Sequence, residues 1–307
     1  MTKHSITKLK ISGEHLKNTL IYLLAIVAIA GAEPKPAKPM KGPAKPEHIK
    51  QAKAALPDKA PAKASKERKI LIFTRCEGFV HSSIPLGAKT FAMMGEKTGA
   101  YTTEESMELE AFTPENLKRF DAILFMSTTK LDPLPEQKKA LLEFVRSGKG
   151  IIGIHAASDN FYKWEEGAKL MGGLFCGHPW TSKCTVQVKL DEPDHPLNAC
   201  FKGESFKVMD EMYQFKDPYS RQNQRVLTSL DLSDSDTKNA KGGNAKKIVR
   251  TDGDFGVTWI RREGKGRVFY CSIGHNETIF WDNRILQHYL AGIQYALGDY
   301  DVPDQIK

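Results

Sequence analysis

Histidines follow the predicted buried strands at the places where a parallel sheet usually carries its functional residues. His155 directly follows an apolar strand, and His275 follows the last apolar strand of the chain. Imidazole serves near neutral pH as a general acid, a general base or a metal ligand. Because ligands bind outside the carboxyl ends of the strands in open α/β sheets, we expect these two side chains to converge there, although they are 120 residues apart.

The segment around His155 is typical of a sharp turn from a strand into a helix. Gly153 and Ile154 precede the histidine, and two alanines follow it. Such an elbow holds its central side chain in the open at the top of the sheet. We expect His155 to act as a base, an acid or a metal ligand, with Asp159 as a nearby carboxylate. The alternative is a histidine satisfied within the core.

A carboxylate and an aromatic hydroxyl share one face of a predicted strand at residues 211–215. The alternating pattern places Glu211 and Tyr213 on the same side. A carboxylate beside a tyrosine can bind sugar hydroxyls or act as a general base. The alternative is an ordinary strand with a surface glutamate.

The remaining candidates are expected at the rim of the site, as substrate-binding residues. They are His81, His178, Trp180, Asn276, Glu277 and Trp281. His81 lies in a loop after the first strand, and Trp180 could stack on the apolar face of a sugar. The alternative for Trp180 is that it packs its loop against the domain.

The histidines and carboxylates could also hold a divalent metal ion, with Zn²⁺ as the obvious candidate. The sequence lacks a compact metal motif such as H-E-x-x-H. Acid–base chemistry without a cofactor and metal-assisted chemistry therefore both remain open at this point.

The elements that must position these residues alternate between strand and helix in the first half of the folded part. Apolar runs predict buried strands at 69–74, 121–127 and 150–154, and helical spacing appears at 83–98 and 135–147. This alternation predicts an α/β fold with a parallel sheet flanked by helices.

The second half predicts an antiparallel extension and a closing helix. Shorter strands are predicted at 184–190, 211–215, 225–230, 247–250, 255–261 and 267–273. Residues 263–266 are a hairpin signal between the last two strands, and residues 284–297 form an amphipathic helix. The polar segment 231–246 is predicted to be a mobile loop.

Charge and cysteine content exclude several classes of protein. Residues 1–69 hold 15 Lys/Arg and 5 Asp/Glu, whereas the other 238 residues hold 30 Lys/Arg and 32 Asp/Glu. The folded part is therefore not basic, which argues against a nucleic-acid partner. The 5 cysteines are too few for a disulfide-dense miniprotein. One bridge, from Cys176 to Cys184 or Cys200, is possible.

The N-terminal region predicts export. A basic stretch, an apolar run at residues 20–30 and the small residues around Gly31 are typical of a signal peptide cut after Ala32. We therefore predict a periplasmic or secreted protein with no membrane span after cleavage. Residues 33–68 are rich in Lys, Ala and Pro and predict a disordered, extended linker. The folded domain is then expected at 69–300, followed by a short tail at 301–307.

Several ordered motifs resemble those of the ThuA-like (trehalose utilisation) family over residues 69–300. They are Gly78 to Pro85, Gly153 to Asp159, Gly177 to Trp180, Asp210 to Tyr213 and Gly274 to Glu277. The family is similar in fold to the class I glutamine amidotransferases, whose elbow reads Gly-Ile-Cys-x-Gly. His155 stands at the position of that cysteine, and His275 and Glu277 match the late His-Pro-Glu motif. Because thioester chemistry requires a thiolate, the resemblance predicts no glutaminase activity.

The resemblance implies a carbohydrate substrate, in particular a disaccharide or glycoside oxidised at C3. A 3-keto group acidifies the hydrogen at C2, so that a positioned base can expel the glycosidic oxygen by elimination. His155 or His275 would be the base, with Glu211 or Asp159 as its orienting carboxylate. The alternatives are a carbohydrate-binding protein without catalysis and a metal-dependent hydrolase of another small substrate.

Overall fold

A mixed β-sheet with helices on both faces forms the framework of the domain in the computed structural model, which describes residues 35–306. The signal peptide predicted at residues 1–32 lies outside the described residues. Within that range the strands of the large sheet number nine, in the order β2-β1-β3-β4-β11-β10-β9-β6-β7, and β5 and β8 form a separate pair. The strands are β1 (Lys69–Phe73), β2 (Thr102–Ser106), β3 (Ala122–Met126), β4 (Gly150–Ile154), β5 (Leu174–Trp180), β6 (Thr185–Leu190), β7 (Phe206–Met209), β8 (Met212–Lys216), β9 (Arg225–Leu230), β10 (Gly256–Glu263) and β11 (Gly266–Cys271).

The parallel half of the sheet confirms the predicted α/β fold. Strands β2, β1, β3, β4 and β11 run parallel. β3 and β4 are buried along their whole length, as expected for strands covered on both faces. Side chains of β1 alternate between two cores, with Ile70 and Ile72 on one face and Leu71 and Phe73 on the other. The carboxyl ends of β1, β4 and β11 therefore lie at one edge.

Helices cover the two faces of the sheet, and three of them end at glycines. They are α1 (Pro46–Ala55), α2 (Ile84–Thr98), α3 (Pro114–Leu117), α4 (Pro135–Arg146), α5 (Glu165–Met171), α6 (Ser235–Lys238) and α7 (Asn283–Leu297). Side chains of α2 and α7 belong to one core, and those of α4 and α5 to the other. Gly99 and Gly298 end α2 and α7 in the left-handed conformation that glycine adopts easily.

The antiparallel half differs from the predictions in detail. Strands β10, β9, β6 and β7 continue the sheet with antiparallel pairing, as expected. The strand predicted at 247–250 is wrong, because residues 245–247 form a 3-10 helix and the following residues pair with no strand. The predicted loop at 231–246 contains α6. The sequence also gave no indication of β2, β5 and β7.

The prediction of a disordered linker before the domain is wrong for residues 35–68, which we call the N-terminal arm. Residues 46–55 form α1, and the side chains of Ala52 and Leu56 are buried against the domain core. Arg68 binds the carboxylate of Asp299 through two nitrogens. The prolines do prevent a long helix, but α1 begins at Pro46, a position that tolerates proline. The arm is therefore part of the folded domain.

Two further expectations concern membrane spans and cysteines. In the part of the chain from residue 35 to 306, no helix has both the length and the apolar character needed to cross a bilayer. All five cysteines lie in that part and are free thiols, so neither of the bridges considered for Cys176 forms.

Candidate functional site

His155 lies at the carboxyl end of β4, where the sequence predicts an elbow. Its backbone adopts φ +49°, a left-handed conformation that is rare for residues other than glycine and is found preferentially at functional sites. A 3-10 helix begins at this residue and ends at Ser158. The side chain is fully buried, so the expectation of an open position at the top of the sheet is wrong.

The hydrogen bonds of His155 fix the orientation of its ring. Nδ1 lies 2.7 Å from the carbonyl oxygen of Ser272, which can only accept, so Nδ1 carries the proton. Nε2 is then the unprotonated nitrogen of the neutral ring, and it faces the hydroxyl of Tyr213 at 3.0 Å. Metal-binding histidines in proteins commonly donate their other ring nitrogen to a carbonyl or carboxylate in this way.

His81 reaches the same place from the loop after β1. Its ring centroid lies 4.8 Å from that of His155 and 5.0 Å from that of His275. The residue is only 4% exposed, and its Nδ1 has no hydrogen-bond partner. Burial lowers the pKa of His81 to about 3, with smaller contributions from His275 and Lys41. The imidazole is therefore neutral at physiological pH and carries an unpaired buried nitrogen.

His275 lies in the loop after β11, which is held by a buried carboxylate. Asp210 accepts backbone N–H groups from Gly274 at 2.6 Å, His275 at 3.1 Å and Asn276 at 2.7 Å. Gly274 adopts φ +141° and packs so closely against Ile154 and His155 that a Cβ would lie 3.0 to 3.2 Å from them. The loop therefore approaches His155 through a glycine and is fixed in place by Asp210.

Glu211 contacts three histidines from its position just before β8. Its Oε1 lies 3.2 Å from Nδ1 of His275 and 3.8 Å from Nε2 of His155, and its Oε2 lies 3.2 Å from Nδ1 of His178. The two 3.2 Å contacts lack the alignment of hydrogen bonds. The carboxylate is nearly buried, at 7% exposed. It is the acidic centre of the site.

These residues form a cluster that could hold a cation. His81, His155, Glu211 and His275, which we call the imidazole cluster, each offer one donor atom, and all four atoms lie within 4.8 Å of one another. Donors around a tetrahedral Zn²⁺ at about 2.0–2.1 Å lie about 3.3 Å apart, so side-chain rotations would have to bring the four atoms closer, or three of them with one position left for a substrate. Three nitrogens and one oxygen are ligand types that Zn²⁺ and related transition metals accept.

The local electrostatics keep two of the three imidazole rings, those of His81 and His155, unprotonated, which is the form that binds a metal ion. Burial and the neighbouring imidazoles of His81 and His275 hold the pKa of His155 well below its ordinary value of 6.5. Burial alone would also lower the pKa of His275, but the Glu211 and Asp210 carboxylates outweigh it and raise that pKa above 6.5. His81 and His155 are thus neutral imidazoles, each with one unprotonated nitrogen, whereas His275 competes for a proton.

Other predicted site residues surround the cluster without joining it. Tyr213 is buried and hydrogen-bonds to His155, and His178 is half exposed beside Glu211. Asp159 pairs with Lys130 at 2.9 Å and accepts the hydroxyl of Tyr162 at 2.5 Å. Of the two carboxylates considered, Glu211 therefore lies next to His155 and His275, whereas Asp159 contacts Lys130 and Tyr162 in neighbouring loops.

Two of the predicted substrate-binding residues have structural roles. Trp180 is completely buried and donates its indole N–H to the carbonyl of Thr237 at 2.7 Å, so the expectation that it stacks on a sugar is wrong. The amide of Asn276 donates to the carbonyls of Ser182 and Met209 at 2.8 and 2.9 Å. Both residues hold the loops that frame the site.

Glu277 and Trp281 line a pocket beside the cluster together with a residue of the N-terminal arm. The carboxylate of Glu277 binds Nδ1 of His48, and the ring of Trp281 lies 4.9 Å from that of His48. Sequence reasoning assigned no function to His48, Asp210 or Ser272. The position of Asp210 directly before Glu211 could have indicated a role in the site. Its carboxylate, however, binds a loop that is distant in sequence, and the sequence pattern does not show that contact.

Comparisons with known proteins identify relatives of the domain. Residues 69–296 match the ThuA family, described as trehalose utilisation. A ThuA-like protein from Bacteroides uniformis has a similar structure, with a TM-score of 0.58 and 25% identity over 75% of this chain and 95% of that one. A second, from Parabacteroides merdae, has a TM-score of 0.55 and 16% identity over 78% and 94% of the two chains. No curated protein matches the chain.

Proposed function

The chain belongs to the ThuA (trehalose utilisation) family, and on this basis we propose that it is a sugar-modifying enzyme whose reaction centre is a divalent metal ion held by the imidazole cluster. The substrate class we propose is a disaccharide or glycoside that carries a keto group at C3. The observation that carries this proposal is the convergence of His81, His155, His275 and Glu211 on one point.

The protonation properties of His81 and His155 support metal binding over simple histidine catalysis at these two rings. A general base works best when its pKa lies near the operating pH. His81, with a pKa of about 3, and His155, which is buried and bonded at both ring nitrogens, are poorly suited to that task. Unprotonated imidazoles are, however, the form that binds metals. The same burial that weakens these rings as bases keeps them available as ligands.

His178 and Tyr213 provide the acid–base groups of the proposed reaction. His178 is 42% exposed at the side chain, and its Nδ1 lies 3.2 Å from the Glu211 carboxylate, so we assign the proton-accepting role to its other ring nitrogen, Nε2. Tyr213 keeps its proton, since burial raises its pKa well above 10. His178 would therefore accept a proton, and Tyr213 would donate a hydrogen bond to a substrate oxygen.

The reaction we propose is elimination followed by addition of water. A metal ion held by the imidazole cluster would supply a Lewis acid for the C3 carbonyl, which would make the hydrogen at C2 more acidic. His178 takes that proton, the electron pair forms the C1–C2 double bond, and the bond from C1 to the glycosidic oxygen breaks. The leaving oxygen receives the proton back from His178, and water then adds across the C1–C2 double bond, with its oxygen bonding to C1 and a proton going to C2. The net change is hydrolysis of a 3-keto-glycoside to a free 3-keto-sugar and an alcohol.

The experiment that tests this function follows a 3-keto-glycoside and its unoxidised parent by NMR in the presence of the full chain. We expect selective loss of the keto compound, and we expect chelation of metal by EDTA to stop it. Glu211→Gln should lower turnover at least tenfold, whereas the exposed Glu204→Gln serves as the matched control. Sugar-dependent chemical shift changes without any turnover would contradict the enzyme and favour a binding protein.

A further inference from the structure

An open pocket lies directly beside the imidazole cluster. Its volume is about 580 Å³, within the range of roughly 300–1,000 Å³ that is typical of small-molecule sites. Its lining includes His48, Ser82, Lys183, His275, Glu277 and Trp281. Because His275 belongs both to the cluster and to the lining, a molecule in this pocket would lie next to the proposed reaction centre.

The groups of the pocket match the chemistry of an uncharged sugar ring. Glu277 offers carboxylate oxygens that accept hydrogen bonds from hydroxyl groups, and Ser82 and Lys183 offer donors. Trp281 adds an aromatic surface of the kind that packs against the apolar face of a sugar. Lys183 and Glu277 contribute one lysine and one carboxylate to the lining. The pocket is therefore not the strongly cationic site that a sugar phosphate would require.

His48 comes to this pocket from the N-terminal arm, on helix α1. Its Nδ1 binds the Glu277 carboxylate, its ring lies 4.9 Å from the ring of Trp281, and its side chain is 22% exposed. The helix is fixed to the domain by the buried side chain of Ala52 and by a hydrogen bond of 2.8 Å from Asn283 to the carbonyl of Ala55. The arm thus supplies His48 to the pocket lining, where it is the partner of the Glu277 carboxylate.

We infer that this pocket is the subsite for the second ring of a disaccharide, and that His48 of the N-terminal arm determines its specificity by positioning Glu277 and packing against Trp281. This inference rests on the proposed function, since the first ring would be the one that reacts at the imidazole cluster. It also gives the arm a role in substrate recognition and not only in stability.

Two substrates separate a role at this subsite from a general structural role. The first is the 3-keto derivative of the disaccharide trehalose, and the second is methyl 3-keto-glucoside, which lacks a second ring. In the full chain, His48→Ala should raise KM for the disaccharide about tenfold, the cost of losing roughly one hydrogen bond to a sugar. KM for the methyl glycoside and kcat for both substrates should change less than twofold.

Matched variants make the result specific. Gln51→Ala lies on the same helix at an exposed position and should leave both KM values unchanged. Glu277→Gln should have the same selective effect as His48→Ala, because it removes the carboxylate that His48 positions. An equal rise in KM for both substrates, or no rise for either, would overturn the inference.

A binding measurement distinguishes failure of the subsite from failure of the proposed reaction. Unmodified trehalose should give saturation-transfer NMR signals with the wild-type chain, and the signals should weaken with His48→Ala but not with Gln51→Ala. This result would support the subsite even if no 3-keto-glycoside is turned over. Turnover of the keto compounds combined with trehalose signals that are insensitive to His48→Ala would remove the subsite and leave the reaction in place.

Discussion

His155 donates its Nδ1 proton to the carbonyl oxygen of Ser272 across a distance of 2.7 Å. The acceptor belongs to the backbone just after β11, the strand that pairs with β4. This hydrogen bond fixes both the tautomer and the orientation of the imidazole, and it directs Nε2 toward Glu211 and Tyr213. A ring held in this way can serve as a metal ligand without paying for reorientation when the metal binds.

Loss of the Tyr213 hydroxyl should reduce catalysis without removing the metal. If Nε2 of His155 served as a metal ligand, the Tyr213 hydroxyl would be released from its contact with that nitrogen and could donate to a substrate oxygen. Tyr213→Phe should therefore lower kcat about 100-fold, as expected for a lost donor to developing negative charge. Metal content and kcat measured on the same sample check this prediction. Loss of metal together with unchanged kcat per bound metal would assign the tyrosine to ligand support alone.

Removal of the Asp210 carboxylate should loosen the loop that carries His275. Asp210→Ala leaves the buried N–H group of Gly274 and the partly buried N–H groups of His275 and Asn276 without their acceptor. Unsatisfied buried groups of this kind cost about 1–3 kcal/mol each, and support of a ligand is commonly worth 10–100-fold in metal affinity. Denaturant unfolding and metal titration should both show the defect.

The control for that substitution is Asp236→Ala, which removes a surface ion pair with Lys241. Exposed pairs contribute about 0–1 kcal/mol, so unfolding and metal affinity should hardly change. If Asp210→Ala behaves like this control, the backbone contacts do not position His275.

The pH dependence of metal binding should reflect one histidine. The pKa of His275 is raised above 6.5, whereas those of His81 and His155 are lowered. At pH 6 only His275 must lose a proton before it binds, so the affinity should rise with pH and level off above the pKa of His275. Calorimetry in two buffers of different ionisation enthalpy should detect about one proton released per metal at pH 6. Release of about three protons would contradict this assignment.

The stability of the metal-free protein should fall in mild acid. His81 and His288 have folded-state pKa values of about 3 and about 4, below the ordinary 6.5, so their contribution is present above pH 6.5 and is lost as pH falls. Each of these two histidines lowers the free energy of unfolding by up to about 1.4 kcal/mol per pH unit in that range. Asp210, with a pKa raised to about 6, opposes this trend as pH falls from about 6 toward 3.8. The net free energy of unfolding should still decrease between pH 7 and pH 5.

Truncation of the N-terminal arm should destabilise the domain. A chain that begins at residue 69 loses the buried side chains of Ala52 and Leu56 and the pairing of Arg68 with Asp299. Burial of one leucine alone is worth about 1.5–3 kcal/mol, and each kcal/mol shifts Tm by about 2–4 °C in a domain of this size. Thermal unfolding should therefore show a Tm at least about 5 °C lower than that of a chain that begins at residue 35. Equal Tm values would restore the interpretation of a passive linker.

The convergence of His155 and His275 was predictable because both follow short apolar runs that are typical of buried strands. Their strands β4 and β11 are neighbours, so the two side chains meet although they are far apart in sequence. Glu211 was predictable for a weaker reason. Alternation in a short strand indicates on which face of the strand a side chain lies, but not which residues pack against that face.

Other structural features depend on tertiary contacts that cannot be predicted from the local amino-acid composition. Trp180 lies at the end of β5, and the partner that accepts its indole N–H is Thr237, in a segment expected to be a loop. β2 is a polar edge strand at Thr102–Ser106, which lacks the apolar pattern of a buried strand. The N-terminal arm has the composition of a linker, but a few apolar side chains suffice to anchor it when a core is present to receive them.

The most direct test of the account is a titration of the metal-free full chain with Zn²⁺, followed by calorimetry and by metal analysis of the complex. We predict one tightly bound ion per chain, with affinity lowered by more than 100-fold in His81→Ala and unchanged in the surface variant Glu204→Gln. Absence of stoichiometric binding, or binding that is indifferent to His81→Ala, would contradict the assignment of the imidazole cluster as a metal centre.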